Sequence, residues 1–197
     1  RGIFAFNQAL DNIIVEPLAK GYRLLPSPIR TGTSNVLSNL SLVVTIPNNL
    51  LQGDFGLAGK NSSRFLLNST IGILGFFDPA SKIGLNNYEK EDWGQTLGAW
   101  GVEEGCYIVL PILGPSTVRD TFGSLASYMG GDSWYNITVK NDTHYVSDFD
   151  YYASVATNGI DFRAKNIESF QNLETNSIDF YASVKSLYLQ DRQQKIL

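Results

Sequence analysis

The segment FLLNSTIGILGFFDPA, residues 65–80, constrains the fold more than any other part of the sequence. Its centre carries Gly72 and Gly75 among isoleucine, leucine and phenylalanine, and it has no charged side chain. Each glycine costs a helix interior about 1 kcal/mol relative to alanine, which a sharp bend or the close approach of another helix offsets. We therefore predict a helix that bends at Gly72 and Gly75, followed by a short helix that begins at Asp78 and Pro79.

The same segment is too short to cross a bilayer, which takes about 20 apolar residues, and too apolar for an ordinary surface helix. Two interpretations remain open at this stage. The segment is either a helical hairpin in the core of a soluble protein or a helix that lies flat in a membrane interface. The sequence has no apolar run long enough for a transmembrane helix.

Apolar residues at steps of three and four predict helices in the first half of the chain. Residues 3–18 carry such a stripe, and we expect Pro17 to kink or end it. A second helix is expected to begin with Ser27 as its N-cap and to end near residue 41. Residues 41–47, SLVVTIP, fit a strand, a buried helix or an extended linker. Gly53 is expected to stop a short helix, and Asp54 to cap the next.

The second half is expected to be helical with long connections. Pro111 argues against an ordinary central strand in the glycine-rich residues 85–114. The remaining expected elements are a helix capped by Ser116, an irregular connection or hairpin over 130–148, and two helices over 159–172 and 177–196. The fold class is therefore all-α, with about six or seven short amphipathic helices.

Composition excludes several classes of function. The net charge is −4, and lysine and arginine are not clustered, which argues against binding to nucleic acid. The only cysteine is Cys106, so no internal disulfide can form. A single histidine, His144, excludes a metal site built from several histidines, and no motif indicates a cofactor.

Few residues have the pattern of a catalytic site. His144 is the only histidine available as a general base, and we expect it to be an exposed loop residue. Cys106 lies in an apolar run and is expected to be a buried structural cysteine. The carboxylates at 89, 91 and 92 and at 103 and 104 lie in polar, glycine-rich loops, and we expect them to be solvated. Enzymatic activity is therefore not expected.

Arg64 and Arg119 stand out because each lies on a predicted helix in an apolar neighbourhood. An arginine in such a place is either a capping or ion-pairing residue or a group that faces a lipid head group. Around Arg64, the polar Asn68, Ser69 and Thr70 alternate with apolar residues. Such a mixture provides polar contacts for a head group and apolar contacts for acyl chains.

Several motifs together resemble one family. They are FNQALDNIIVEPLAKGYR (6–23), RTGTSNVLSNL (30–40), LLQGDF (50–55), RFLLNSTIGILGFFDPA (64–80), EDWGQTLGAWGV (91–102) and YIVLPILGPSTVRD (107–120). In order and spacing they are similar to the MlaA/VacJ lipoproteins of Gram-negative bacteria. The specific motifs lie in residues 6–123, whereas residues 130–197 are similar only in outline.

The resemblance implies a single MlaA/VacJ-like domain over residues 1–197, folded as a ring of helices around a central amphipathic channel. It implies a protein on the periplasmic side of the outer membrane, anchored in the inner leaflet by a lipidated cysteine that is expected to precede Arg1 with a signal peptide. The implied function is to take misplaced phospholipids from the outer leaflet and pass them to a soluble periplasmic carrier. A trimeric porin is an implied partner, and no cofactor, metal or chemical reaction is involved.

The residues that we expect along the lipid path or the membrane face lie in two of these motifs, 64–80 and 107–120. They are Arg64, Leu66, Leu67, Asn68, Ile71, Leu74, Phe76, Phe77, Leu110, Ile112 and Leu113. Two other interpretations are kept. One is a soluble all-α enzyme with an unrecognised site. The other is a secreted binding module, which is suggested by Asn-x-Ser/Thr sequons at Asn39, Asn61, Asn68, Asn136 and Asn141.

Overall fold

The computed structural model describes residues 1–86, 89–140 and 146–196, and it is mainly helical. The helices are α1 (Gly2–Leu10), α2 (Glu16–Arg23), α3 (Ser27–Gln52), α4 (Phe55–Thr70), α5 (Pro79–Lys82), α6 (Trp93–Ala99), α7 (Val118–Ala126), α8 (Ser133–Tyr135), α9 (Asp148–Lys165), α10 (Ile167–Asn176) and α11 (Phe180–Ile196). The all-α prediction is confirmed. The described residues form more helical segments than expected because several predicted elements divide. His144 and the sequon residue Asn141 lie outside the described residues.

The first predicted helix continues past Pro17 instead of ending there. The π-helical turn Asp11–Val15 separates α1 from α2, and Pro17 lies in the first turn of α2. Proline is tolerated in a first turn because its missing N–H would have no partner in that helix. The chain therefore stays helical from Gly2 to Arg23 with a local change of hydrogen-bond register.

Helix α3 absorbs the segment whose structure was ambiguous. Residues 41–47 are helical, so the strand and linker interpretations are wrong, as is the predicted helix end near residue 41. Pro26, not Ser27, stands at the N-cap position, and Pro47 lies inside the helix. The helix ends where Gly53 adopts a left-handed φ of 83°, and the Asp54 side chain caps α4, both as predicted.

A short hairpin interrupts the helices. Strands β1 (Tyr107–Leu110) and β2 (Gly114–Thr117) pair antiparallel, with Leu110 opposite Gly114. Pro111 lies in the turn, where it removes no hydrogen bond from the strands, so this hairpin is compatible with the argument against an ordinary central strand. Thr117, not Ser116, caps α7 by accepting a hydrogen bond from the Asp120 N–H at 3.2 Å.

The C-terminal third also differs from the expectation. Residues 127–140 form the π-helical turns Ser127–Gly131 and Asn136–Lys140 with α8 between them, where an irregular connection or a hairpin was expected. Three helices, not two, then complete the chain. The predicted helix over 159–172 divides at Asn166, which ends α9 and precedes α10.

The interior of the described residues is unusually polar. The largest fully buried side chains are all polar: Thr45, Asn48, Asn49, Asn61, Thr96, Thr117 and Thr138. Four of them pair across helices. Asn61 of α4 donates to Asn49 of α3 at 2.8 Å, and Thr96 of α6 donates to Asn48 of α3 at 2.6 Å. Buried polar groups of this kind need such partners, and polar bonds between helices are typical of proteins in an apolar environment.

The surface, in contrast to the interior, is rich in apolar side chains. Large apolar side chains are exposed on many elements, among them Ile13, Leu24, Phe55, Leu74, Ile112, Met129, Phe149 and Ile178. In a water-soluble protein, such side chains form most of the core. Within the described part of the chain, no helix combines the length and the apolar character needed to cross a membrane.

Candidate functional site

The bend predicted at the two glycines is present between α4 and α5. Gly75 adopts a left-handed φ of 92°. A Cβ added to Gly72 would lie 2.5 Å from the carbonyl oxygens of Asn68 and Phe77. A Cβ added to Gly75 would lie 2.5 Å from Cβ of Asn39 on α3. Both explanations proposed for these glycines therefore apply, since the chain turns sharply and approaches another helix closely.

The residues of this bend form an exposed apolar turn, residues 71–77. Ile73 and Leu74 adopt left-handed φ angles of 54° and 55°, and their exposed fractions are 65% and 75%. A left-handed conformation is rare for a β-branched residue and costs free energy. The ring of Phe76 fixes the turn against α3, because a Cβ added to Gly32 would lie 2.2 Å from that ring.

A cluster of polar side chains lies beneath the apolar turn. Arg64 donates from Nη2 to Asp78 Oδ2 at 3.0 Å, and Asn68 donates from Nδ2 to Asp78 Oδ1 at 3.0 Å. Asn68 also accepts from the Ala80 N–H at 3.1 Å. Burial acts to raise the pKa of Asp78, but hydrogen bonds from Ser81 and Asn68 outweigh it and lower that pKa. Asp78 therefore caps α5 as predicted and is the ion-pair partner of Arg64.

These polar residues line a small cavity between α3 and α4, which we call the polar cavity. Its volume is about 80 Å³, and it is lined by Asn35, Ser38, Asn39, Leu42, Arg64, Asn68 and Asp78. Two of the predicted lipid-path residues, Arg64 and Asn68, belong to its wall and are buried. Leu66, Ile71, Leu74, Phe76 and Phe77 are exposed instead, and Leu67 is half-buried.

A larger cavity of about 320 Å³, which we call the large cavity, lies between α6, α7, α11 and the hairpin. One part of its wall is apolar and includes Leu110 and Leu113 from the predicted site. Another part carries Asp92, Asp120 and Arg192. Ile112 is exposed in the hairpin turn between the two leucines. The structure thus divides the predicted site between two cavities and an apolar surface.

The charged wall of the large cavity is fully paired. Arg192 donates to both Asp120 oxygens at 3.0 and 2.9 Å and to both Asp92 oxygens at 2.7 and 2.9 Å. Tyr188 donates to Asp120 at 2.6 Å, and Arg119 donates to Asp120 at 3.1 Å. Burial acts to raise both aspartate pKa values, but Arg192 outweighs it, lowering the pKa of Asp92 to about 2 and that of Asp120 below its usual range.

The predictions for the arginines and carboxylates named in the sequence analysis are confirmed for some residues and wrong for others. Arg64 and Arg119 are ion-paired and buried, which is one of the two alternatives left open. The expectation that Glu91 is solvated was wrong: its exposed fraction is 6%, because Gln52 of α3 covers it and donates to it at 3.0 Å. Glu103 and Glu104 are exposed, as expected.

Cys106 is exposed, so the prediction of a buried structural cysteine is wrong. It directly precedes β1 and follows Gly105, whose φ is 68°, and its carbonyl still accepts from the Val118 N–H at 3.1 Å. In the ranges that the structure describes, no group of histidine, cysteine and carboxylate side chains could hold a metal ion.

Arg192 and Tyr188 were not identified from the sequence. They lie 72 and 68 positions from Asp120, and nothing in their local pattern marks them as its partners. Asn39 was noted only as a sequon. A buried asparagine facing a glycine of a turn that lies 36 positions away has no signature in a single sequence.

A model of the MlaA lipoprotein family matches residues 1–195. The chain belongs to the MlaA lipoprotein family. The MlaA protein of Escherichia coli (strain K12), named as an intermembrane phospholipid transport system lipoprotein, is 34% identical over 197 residues, which cover 96% of this chain and 73% of that protein. The protein of that name from Haemophilus influenzae (strain Rd) is 31% identical, over 100% of this chain and 76% of its own length.

The chain is also similar to a relative without an assigned function and to a solved structure. An uncharacterised protein of Rickettsia prowazekii (strain Madrid E) is 33% identical over 198 residues, covering 100% of this chain and 75% of that protein. A structure solved to explain the maintenance of bacterial outer-membrane lipid asymmetry matches with a TM-score of 0.82 and 31% identity. The match covers 100% of this chain and 96% of that chain.

Proposed function

We propose that this protein transports phospholipids between membranes by removing misplaced phospholipids from the outer leaflet of a bacterial outer membrane. The observation that carries the proposal is the distribution of polarity: buried asparagine and threonine inside, apolar side chains outside, and a cavity of about 320 Å³ with an amphipathic wall. A surface of this kind is stable against lipid tails. The names of the relatives support the same function.

The large cavity is the proposed path of the lipid. Its apolar wall, with Leu110 and Leu113, suits acyl chains, and its charged wall offers a polar side to a head group. Asp92, Asp120 and Arg192 already satisfy one another, so they would bind a passing head group only weakly. Weak binding suits passage, because a conduit must also release what it binds.

The exposed apolar residues form the proposed membrane face. Leu66, Ile71, Leu74, Phe76 and Phe77 would meet lipid tails, together with Ile112 of the hairpin turn. Apart from Leu66 on α4, they lie in tight turns, which are long enough to reach into one leaflet only. Leu67, which is half-buried, lies beside this face.

The proposed setting and partners follow the family. The protein would lie on the periplasmic side of the outer membrane, embedded in the inner leaflet and held there by a lipid anchor. A trimeric porin would be its neighbour, and a soluble periplasmic carrier would receive the lipid. The helices would form a ring around the lipid path, and no chemical reaction would take place.

The proposal is tested by blocking the large cavity. Ser124 on α7 lines it, so Ser124→Phe should obstruct it. The matched control is Leu125→Phe, because the neighbouring Leu125 is exposed and does not line the cavity. We expect Ser124→Phe to lower the transfer of labelled phospholipid from proteoliposomes to acceptor vesicles by about tenfold or more, corresponding to about 1.4 kcal/mol. Equal transfer by both variants, with normal thermal unfolding, would exclude this path.

A further inference from the structure

We infer that the polar cavity binds the head group of a phospholipid, specifically a phosphodiester linked to a primary ammonium. This inference rests on the proposed function, and it adds a binding site outside the large cavity. The two cavities have no lining residue in common. The polar cavity would hold the head group while the large cavity provides the path.

The wall of the polar cavity has the chemistry of a zwitterion site. Arg64 and Asp78 place one positive and one negative charge on it, and Asn35, Ser38, Asn39 and Asn68 surround them with neutral polar groups. Leu42 is the only apolar residue of the wall. Because the two charges balance, a ligand with its own balanced charges fits better than a simple anion, which Asp78 would repel.

Two atoms of this wall lack hydrogen-bond partners among the described residues. Arg64 uses both Nη atoms, but its Nε donor is buried and unpartnered. Asn39 donates from Nδ2 to Ser69 at 2.9 Å, but its Oδ1 acceptor is buried and unpartnered. An unsatisfied buried polar group costs free energy, and most such groups in proteins have a partner.

One free donor and one free acceptor complement the two ends of the proposed head group. A phosphate oxygen would accept from Arg64 Nε, as in other arginine–phosphate contacts. The ammonium would donate to Asn39 Oδ1 and approach the Asp78 carboxylate. A head group that ends in a hydroxyl could also donate to Asn39 Oδ1, but that bond would lack the charge of the ammonium and its attraction to Asp78.

The position of the cavity favours a lipid over a cluster of water molecules. Asn35 donates from Nδ2 to the Phe76 carbonyl at 3.1 Å, and Asn39 packs against Gly75. The cavity wall is thus joined directly to the apolar turn, where Ile71 and Leu74 are exposed. Acyl chains attached to a head group in the cavity would continue along these side chains.

Native mass spectrometry of the full chain in detergent tests the inference. The probes are phosphatidylethanolamine, phosphatidylglycerol, diacylglycerol, soluble O-phosphoethanolamine and inorganic phosphate. We expect phosphatidylethanolamine to bind about tenfold more tightly than diacylglycerol, which lacks the phosphate, in line with one or two charge-assisted hydrogen bonds. Phosphatidylglycerol should bind with intermediate affinity.

Two variants locate the site. Ser38→Leu fills the polar cavity, and we expect it to remove the preference for phosphatidylethanolamine over diacylglycerol. Its matched control is Ser63→Leu on the exposed side of α4, which should retain the preference. Asn39→Asp places a second negative charge in the wall, so the ratio of phosphatidylethanolamine to phosphatidylglycerol affinity should rise by about tenfold. This variant also answers the question if Ser38→Leu fails to fold.

The outcomes separate the possible occupants. Equal binding of diacylglycerol and phosphatidylethanolamine would mean that the cavity binds no head group. A preference that survives Ser38→Leu would mean that the head group is bound elsewhere. Either result would overturn the inference. Binding of inorganic phosphate as tight as that of the lipid would show a phosphate site instead of a lipid site. If phospholipid transfer is normal without any head-group preference, this inference fails alone. If the wild type neither binds nor transfers phospholipid, the proposed function fails as well.

Discussion

Asn7 of α1 holds Ile112 at the tip of the hairpin. Its Oδ1 accepts from the Ile112 N–H at 2.8 Å, and its Nδ2 donates to the Leu110 carbonyl at 2.8 Å. Ile112 adopts a left-handed φ of 67° in an exposed position. The two hydrogen bonds therefore compensate for a strained backbone between the two leucines that line the large cavity.

We predict that Asn7→Ala loosens the hairpin turn. The loss of two hydrogen bonds should lower the free energy of unfolding by about 1–3 kcal/mol and should speed amide hydrogen exchange at Ile112. Hydrogen exchange followed by mass spectrometry measures the second effect. Gln8→Ala is the control, because Gln8 makes one exposed contact with Glu174 and should leave exchange in the hairpin unchanged.

Helices α6 and α7 meet through two glycines. A Cβ added to Gly123 would lie 2.4 Å from the backbone nitrogen of Gly94. We predict that Gly123→Ala destabilises the protein by about 1–3 kcal/mol, because backbone atoms cannot move aside as a flexible side chain can. Chemical denaturation in detergent measures the change.

Gly59→Ala provides the matched comparison. Gly59 lies inside α4, and a Cβ added there would meet no atom within 4 Å. We expect this substitution to stabilise the protein by about 1 kcal/mol through helix propensity. Destabilisation of similar size by both alanines would contradict the close-packing explanation.

The features predicted correctly from the sequence are those that depend on residues only a few positions apart. The bend at Gly72 and Gly75 and the caps at Asp54 and Asp78 are local, since turn geometry and capping act within a few positions. The predicted end of α3 near residue 41 was wrong, because packing against α4 and α6 keeps the helix intact through Pro47. Propensity is a weak guide in such a case.

The candidate site was predictable only in part for the same reason. Leu110 and Leu113 lie in a recognisable motif, so the sequence could name them as candidates, and both line the large cavity. The pairing of Arg192 with Asp92 spans 100 positions, and no periodicity reports it. The burial of Glu91 likewise depends on Gln52, which lies on another helix.

The carboxylates paired with Arg192 should make the protein sensitive to acid. The pKa of Asp92 is lowered from 3.8 to about 2, and that of Asp120 is also lowered. The folded state therefore binds fewer protons than the unfolded state below about pH 4. Their contribution to stability is present above that pH and is lost as the pH falls toward about 2.

We predict that Asp120→Asn weakens this acid dependence. Urea unfolding between pH 7 and pH 2 should give a free energy that falls less steeply with acid than in the wild type. The variant should also be less stable at pH 7 by about 3–5 kcal/mol, because Arg192 loses a buried partner. Asp191→Asn is the control, since Asp191 pairs with Lys195 at the surface and should have little effect.

Glu91 should change the pH dependence of stability in the opposite direction, by lowering stability as the pH rises. Burial raises the pKa of this carboxyl, the negative charges of Asp92 and Glu89 add to the effect, and the donor from Gln52 only partly offsets it. In the described residues, no cation lies within ion-pair distance of Glu91. The protonated carboxyl costs less to bury than the charged one, and it is fully populated below about pH 4.5, the ordinary pKa of glutamate. The stability that it gives the folded state is lost as the pH rises through the higher pKa of the folded state.

We predict that Glu91→Gln stabilises the protein at pH 8 and has little effect at pH 4. Glutamine retains an oxygen that can accept from Gln52 but carries no charge to bury. Thermal unfolding in detergent at the two pH values measures the difference. Glu103→Gln is the control, because Glu103 is exposed, does not contribute to the pKa of Glu91, and should show no such dependence. A stabilisation by Glu91→Gln that is equal at both pH values would show that the charge of Glu91 is not its cause.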